Sequence, residues 1–157
     1  MERTVATLSG AMSARDPYAA GQAHRVAQLA LAIGGAMAMD AADLRLLRLA
    51  APVHDVGKIA MPAEILSKPT RLSEAELAII RMHSEAGCEL LGPAELPDEV
   101  LTAVRQRHER LDGSGYPDGL DGAAIGRFAS GRGVRYDEEV CGICLHLFRE
   151  QGFSFVE

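Results

Sequence analysis

Tryptophan is absent from this sequence, and tyrosine and phenylalanine number only three and four. β-Branched and aromatic residues, which build strands, are scarce, while Ala, Leu, Met and charged residues dominate. That balance favours helix, because small and straight-chain side chains lose little rotamer freedom there. No run approaches the roughly 18 apolar residues of a membrane-spanning helix. The opening MERTVATLSG lacks the basic-then-apolar pattern of a signal peptide. A cytoplasmic protein with no membrane partner is therefore expected. An excess of basic residues is missing too: 16 Lys and Arg face 22 Asp and Glu, a net charge of -6. This excludes a general surface for polymeric nucleic acid, which needs a basic stripe to displace counterions. It leaves open an anionic small molecule, since a local cluster of metal ions and Lys or Arg can override the global sign. The cysteines are few and odd in number, Cys88, Cys141 and Cys144. The lone Cys141-x-x-Cys144 has no second pair, so ordinary packing or a surface thiol is expected.

At 157 residues the chain has room for one domain with a real core. Val5, Leu8 and Met12 recur at helical spacing over residues 2–14, and Asp16-Pro17 breaks the pattern. A second helix to about Met39 carries Val26, Leu29, Ala30, Ile33 and Met37 as its apolar stripe. Asp40 is placed to cap a third helix, from Ala41 to about Val56, with Leu44, Leu47 and Ala51 inward, Pro52 as a kink and Gly57 as its stop. Residues 58–72 read as loop with a short helical piece around Ala63–Leu66. Ser73 and Glu76 form a capping box for a helix carrying Leu77, Ile80 and His83 toward Leu91. Pro97-Asp98 opens another, with Leu101, Val104 and His108 on one face. GSGYPDGLDG, residues 113–122, is a glycine-rich loop. A last helix begins near Asp137 with Val140, Ile143, Cys144 and Leu147. The expectation is an all-α bundle of about six helices.

His54-Asp55 closes an apolar helix beside Gly57 and Lys58. A histidine–aspartate pair occurs by chance in many proteins, and taken without the other histidines it is better explained by an Asp55 that caps or pairs locally with Lys58. A carboxylate in a buried stretch needs a compensating partner, and a metal is the strongest one. His83 and His108 add weight, each near the C-terminal half of a helix and beside its apolar stripe. With His54 and Asp55 they make a nitrogen-and-oxygen donor set suited to Fe, Mn or Zn rather than to thiophilic metals. A bridging Asp55 between two ions would suit in-line attack on a phosphodiester.

The stretches RDPYAAG (15–21), HRV (24–26), AAPVHDVGKIAMPAEILSKP (50–69), LSEAEL (72–77), HSEAGCELL (83–91) and RHERLDGSGYPDGLDGAAI (107–125) occur in one order along the chain. Together they resemble an HD-GYP domain. The resemblance implies an all-α HD-domain-like bundle, a di- or trinuclear metal centre and hydrolysis of cyclic di-GMP. It puts His54, Asp55, His83 and His108 on metal-ligand positions. Asp55 and Lys58 become the catalytic pair, Lys58 as the contact to substrate phosphate. Arg107, Gly113, Gly115, Tyr116 and Pro117 belong to the loop that shapes the site and touches partner proteins. The implied partners are cyclic di-GMP or a related nucleotide, a diguanylate cyclase or another signalling protein, and a second copy of the chain.

Three departures from the family pattern bear on activity. Gln22 stands where the family has histidine, and His24, about 200° round the helix, cannot replace it. By the helical wheel Gln22 aligns with Val26, Leu29 and Ile33, toward the core. Arg107 stands where the family has the first of two consecutive histidines, and a guanidinium cannot ligate a metal. It can act instead as a fixed cation in the vacated place and hold a phosphate bidentately. After Ile125 the family continues with a helix whose Asp completes the metal site. This chain passes instead through residues 126–134, read as a deletion junction, to a closing helix over 135–157, in which Asp137 belongs to the closing motif. The expected organisation is one domain over 1–157, with 1–125 the close match. The expected function is a cyclic di-GMP phosphodiesterase with weakened or lost activity, holding one or two Fe, Mn or Zn ions at low occupancy. The alternative is an inactive nucleotide-binding or protein-interaction module.

Overall fold

The computed structural model describes residues 1–15, 17–122, 124 and 138–156. The chain is all-α. Its α-helical segments are α1 (Glu2–Arg15), α2 (Pro17–Ala36), α3 (Ala41–Ala50), α4 (Ala63–Leu66), α5 (Glu74–Arg81), α6 (His83–Leu91), α7 (Asp98–Gln106) and α8 (Glu138–Arg149). Three 3-10 turns, Ala51–Val53, Val56–Ala60 and Gly92–Ala94, join them. Among the described residues the only β feature is one antiparallel bridge, Asp112 to Asp121, at the neck of the glycine-rich loop. Among the described residues there are eight α-helical segments rather than about six, because α4 is a single turn and the helix expected over 73–91 divides at Met82.

Local chemistry accounts for most boundaries. Asp40 caps α3 by accepting the Asp43 amide at 2.8 Å. Ser73 and Glu76 make the reciprocal capping box on α5. The third helix stops at Ala50 rather than running to Val56, since Pro52 has no N–H to continue the ladder. Two tight turns then carry His54 and Asp55. Gly57 is therefore not a helix stop. It lies within the turn Val56–Ala60, where a Cβ would stand 1.8 Å from the His83 carbonyl oxygen. Only glycine permits that approach.

Val5, Met12, Leu49, Val53, Val56, Leu91, Leu96, Val100 and Val104 form the core. Each fully buried aliphatic side chain contributes about 1.5–3 kcal/mol. The turn Val56–Ala60 packs along α6, which also lies against α7, while α2 meets α1, α3 and α8. The apolar stripe of α2 is not where the helical wheel puts it. Ala23 and Ala27 are buried, whereas Val26 and Met37 are 37% and 36% exposed. The wheel follows side-chain size, but Val26 lines a pocket, Leu29 and Ile33 are half-buried, and the deepest places on α2 go to Ala23 and Ala27. Leu44 and Leu47 are half-buried, and Leu49 and Ala50 take the deep positions of α3. Cys88, Cys141 and Cys144 are free and half-buried, as expected of packing thiols. The expected break at Asp16, the junction over 126–134 and Asp137 lie outside the described residues.

Candidate functional site

Asp55 sits between the two 3-10 turns, where φ -104° and ψ 10° aim its carboxylate across to α6 and the end of α7. His83 is the first residue of α6, just past the break at Met82, and only 2% exposed. His108 lies two residues beyond the end of α7. Neither histidine is in the C-terminal half of a helix; chain breaks rather than helix faces deliver them. One ligand atom from each of Asp55, His83 and His108 lies within 4.8 Å of the others. His54 stands at the edge of this group. Its Nδ1–H donates to the Ala51 carbonyl at 2.7 Å, and its Nε2 is 3.6 Å from Asp55 Oδ2.

Arg107 enters the middle of the cluster. Its Nη1 pairs with Asp55 Oδ1 and donates to the His54 carbonyl, and its Nη2 donates to His83 Nε2. The opposite nitrogen, His83 Nδ1, meets the Ile80 carbonyl, which can only accept. The ring is thus the neutral Nδ1–H tautomer with its Nε2 lone pair turned to Arg107. Lys58 Nζ takes Asp55 Oδ2 at 2.6 Å. Arg107 Nε is buried with no acceptor among the described residues.

Burial by itself would raise the Asp55 carboxyl, but Arg107, His54 and Lys58 outweigh it and hold the group far below the usual carboxylate range. Burial pushes the imidazoles of His54 and His83 down. Burial, joined by the charges of Arg107 and His83, pushes His108 down to about 4. All three rings are therefore neutral near pH 7, and the Nε2 lone pair of His83 is already taken by Arg107.

The glycine-rich loop closes one side. Tyr116 stacks on His108, ring centres 4.6 Å apart and planes 18° apart, and the Arg81 guanidinium lies 5.5 Å over the tyrosine ring. The Tyr116–Pro117 peptide is cis. Gly115 passes so near the chain that a Cβ would fall 2.4 Å from Glu109 Cα. Glu109 is buried and accepts the amides of Asp118, Gly119 and Leu120 at 2.7, 3.1 and 2.9 Å. Arg105 grips Asp118 through two nitrogens at 2.9 and 2.7 Å and reaches Glu85 at 3.2 Å. Sequence reasoning overlooked Glu109, Arg105 and Arg81. Glu109 had a signal, since an acid between His108 and a glycine-rich stretch is well placed to collect the loop's free amides.

Gln22 does not face the core. It is exposed, and Val26, one turn further on, lines a pocket of about 180 Å³ with Ala30, Leu47, His54, Val104 and Arg107. His24 points away to solvent and meets Gln28 at 2.6 Å.

Residues 6–130 match the HD domain family. The chain is 38% identical over 125 residues to the cyclic di-GMP phosphodiesterase response regulator RpfG of Xanthomonas campestris, covering 78% of this chain and 33% of that protein. It is 34% identical over 125 residues to 3'3'-cGAMP-specific phosphodiesterase 3 of Vibrio cholerae, covering 80% of this chain and 27% of the relative. A cyclic di-GMP phosphodiesterase of Thermotoga maritima is 39% identical over 99 residues, 62% of this chain and 27% of its own length. The matched part is about a third or less of each curated relative. The chain belongs to the HD-domain family, and its motifs and relatives make it an HD-GYP-type domain.

That family is metal-dependent, and Asp55, His83 and His108 are the donor set an ion would require. As arranged they do not accept one. Asp55 Oδ1 and His83 Nε2 are bonded to Arg107, and Asp55 Oδ2 is bonded to Lys58.

Proposed function

We propose that this domain recognises a cyclic dinucleotide of the cyclic di-GMP type, with phosphodiester hydrolysis weakened or lost. The observation that carries the reading is the guanidinium of Arg107 among the donor atoms of Asp55 and His83, in a site whose surrounding HD-GYP loop is intact. Lys58 serves phosphate recognition. It is 38% exposed at its side chain, so an incoming phosphodiester oxygen can share its ammonium with Asp55. Arg81, exposed and lying over the Tyr116 ring, brings a further cation to the loop for an anionic ligand. In this reading His54, Asp55, His83 and His108 are what remains of a ligand set for Fe or Mn, with Zn a third option, and at most one ion is held. Gln22 and Arg107 are the positions where imidazole has been lost, and the segment after Ile125 is where a carboxylate-bearing helix is missing.

No relative named for cyclic di-GMP or for 3'3'-cGAMP fixes the choice between these two nucleotides, so both are tested. Calorimetric titration of each into the purified chain should give saturable binding to one of them. Chromatography of the reaction with Mn²⁺ should show turnover on the order of 10³-fold below a metal-replete relative, because the charge stabilisation a metal supplies is worth several kcal/mol. Turnover equal to such a relative contradicts the weakened-site reading, and no binding of either nucleotide contradicts the assignment of the ligand. Retained capture of a diguanylate cyclase through the Gly113–Pro117 loop, without nucleotide binding, would favour the interaction-module alternative.

A further inference from the structure

We propose that Arg107 is a resident cation: its guanidinium and a divalent ion exclude each other at this site, and the domain is held together here without metal. Arg107 bonds three chain segments at one point. They are the end of α7, where it resides, the junction between the 3-10 turns through Asp55 and the His54 carbonyl, and the start of α6 through His83. These are the segments that an ion on Asp55, His83 and His108 would staple.

The arginine cannot share the place. A guanidinium has donors and no lone pair, so it consumes ligand atoms and supplies none. Its planar fork matches the separation of the Asp55 oxygen and the His83 nitrogen, which a point charge would not do. Charge argues the same way. The single negative charge of Asp55 already faces both Arg107 and Lys58, so a dication could enter only against two cations. The side chains of Arg107 and Asp55 are 14% and 16% exposed, which leaves little water to screen that repulsion.

The inference does not depend on which nucleotide the domain binds, and no nucleotide enters its test. Mn²⁺ is titrated calorimetrically into chelator-treated wild type, Arg107→Ala and Arg107→Lys, and thermal melts are recorded with Mn²⁺ and with EDTA. Wild type should bind Mn²⁺ at least about tenfold more weakly than Arg107→Ala, the cost of parting a buried ion pair. Its melting temperature should be indifferent to Mn²⁺ and EDTA. Arg107→Ala should melt lower in EDTA and recover with Mn²⁺, because a ligand that binds only the native state stabilises it. Arg107→Lys should fall between, keeping the charge and losing the fork. Wild type binding Mn²⁺ as tightly as Arg107→Ala would overturn the proposal. So would a wild-type melting temperature that Mn²⁺ raises, a result readable even if Arg107→Ala fails to fold.

Discussion

Two sides of the site are built from similar residues and end up in opposite states. On one side the turn Val56–Ala60 meets α6, with Val56, Ser84 and Leu91 at 0% exposure and His83 at 2%. On the other, α2 presents Val26 and Ala30 to a pocket that Leu46, Leu47 and Ala103 line without filling. The first side is fixed by backbone contact, glycine to carbonyl. The second is apolar surface that no described residue fills. Asp55 and His83 belong to the closed side, Gln22 lies next to the open one, and Arg107 touches both. The half of the cluster whose geometry the backbone enforces is therefore the closed one.

The sharpest way to break this comparison is a small change in side-chain size on each side. Gly57→Ala places its Cβ against the His83 carbonyl and should destabilise by roughly 3 kcal/mol or more. Val26→Ala on the open side should cost under about 1 kcal/mol, since its surroundings give it little to lose. Urea unfolding of both variants reads the difference, and equal costs would show that the two sides are equally packed.

Glu109→Ala comes next. It leaves the amides of Asp118, Gly119 and Leu120 without their acceptor and should cost about 2–3 kcal/mol. Amide exchange should accelerate at those residues first, while the amides of α6 stay protected. Uniform acceleration would mean that the loop and the closed side unfold as one unit.

Acid should weaken the site in a defined window. His108 is held down to about 4, so between its ordinary value near 6.5 and 4 the unfolded chain binds the proton and the folded chain does not. Stability is therefore full above about pH 6.5 and falls as pH drops toward 4. The depressed pKa values of His54 and His83 act in the same direction. The depressed Asp55 carboxyl extends the loss below its ordinary 3.8. Melting temperatures from pH 8 to pH 4 check this, and a flat profile would deny that the imidazoles are buried neutral.

Much of the closed side was legible in the sequence. Asp40 and the Ser73–Glu76 pair announce their helices through capping chemistry, and the HDVGK and GSGYPDGL blocks mark the site's chain segments. Less legible was where breaks fall. Pro52 turns one helix into two tight turns, and the division at Met82 puts His83 at a helix start, because tertiary contact with Gly57 decides the path there. The placement of Gln22 failed for another reason. A helical wheel assumes that the large apolar face is the buried one, and in α2 the small face is. Arg107 was readable as a cation incapable of ligation, but its seat between Asp55 and His83 depends on three segments converging, which spacing alone does not encode.

The smallest expected effect is that of Gln22→His. The residue is exposed on α2, so stability should stay within about 0.5 kcal/mol. By itself the new imidazole should recruit no metal while Arg107 remains, and elemental analysis after dialysis against Mn²⁺ tests that. Combined with Arg107→His it should gain metal and only slight activity. A double variant as active as a metal-replete relative would show that ligand loss alone silenced the site.

Anomalous diffraction from crystals of the wild-type chain grown in Mn²⁺ and soaked with cyclic di-GMP tests the central claim most directly. The account predicts no manganese peak among Asp55, His83 and His108, with the Arg107 guanidinium in contact with Asp55 and His83 and the nucleotide phosphate at Lys58. A strong peak bonded to those three residues, with Arg107 swung away from Asp55, would contradict it.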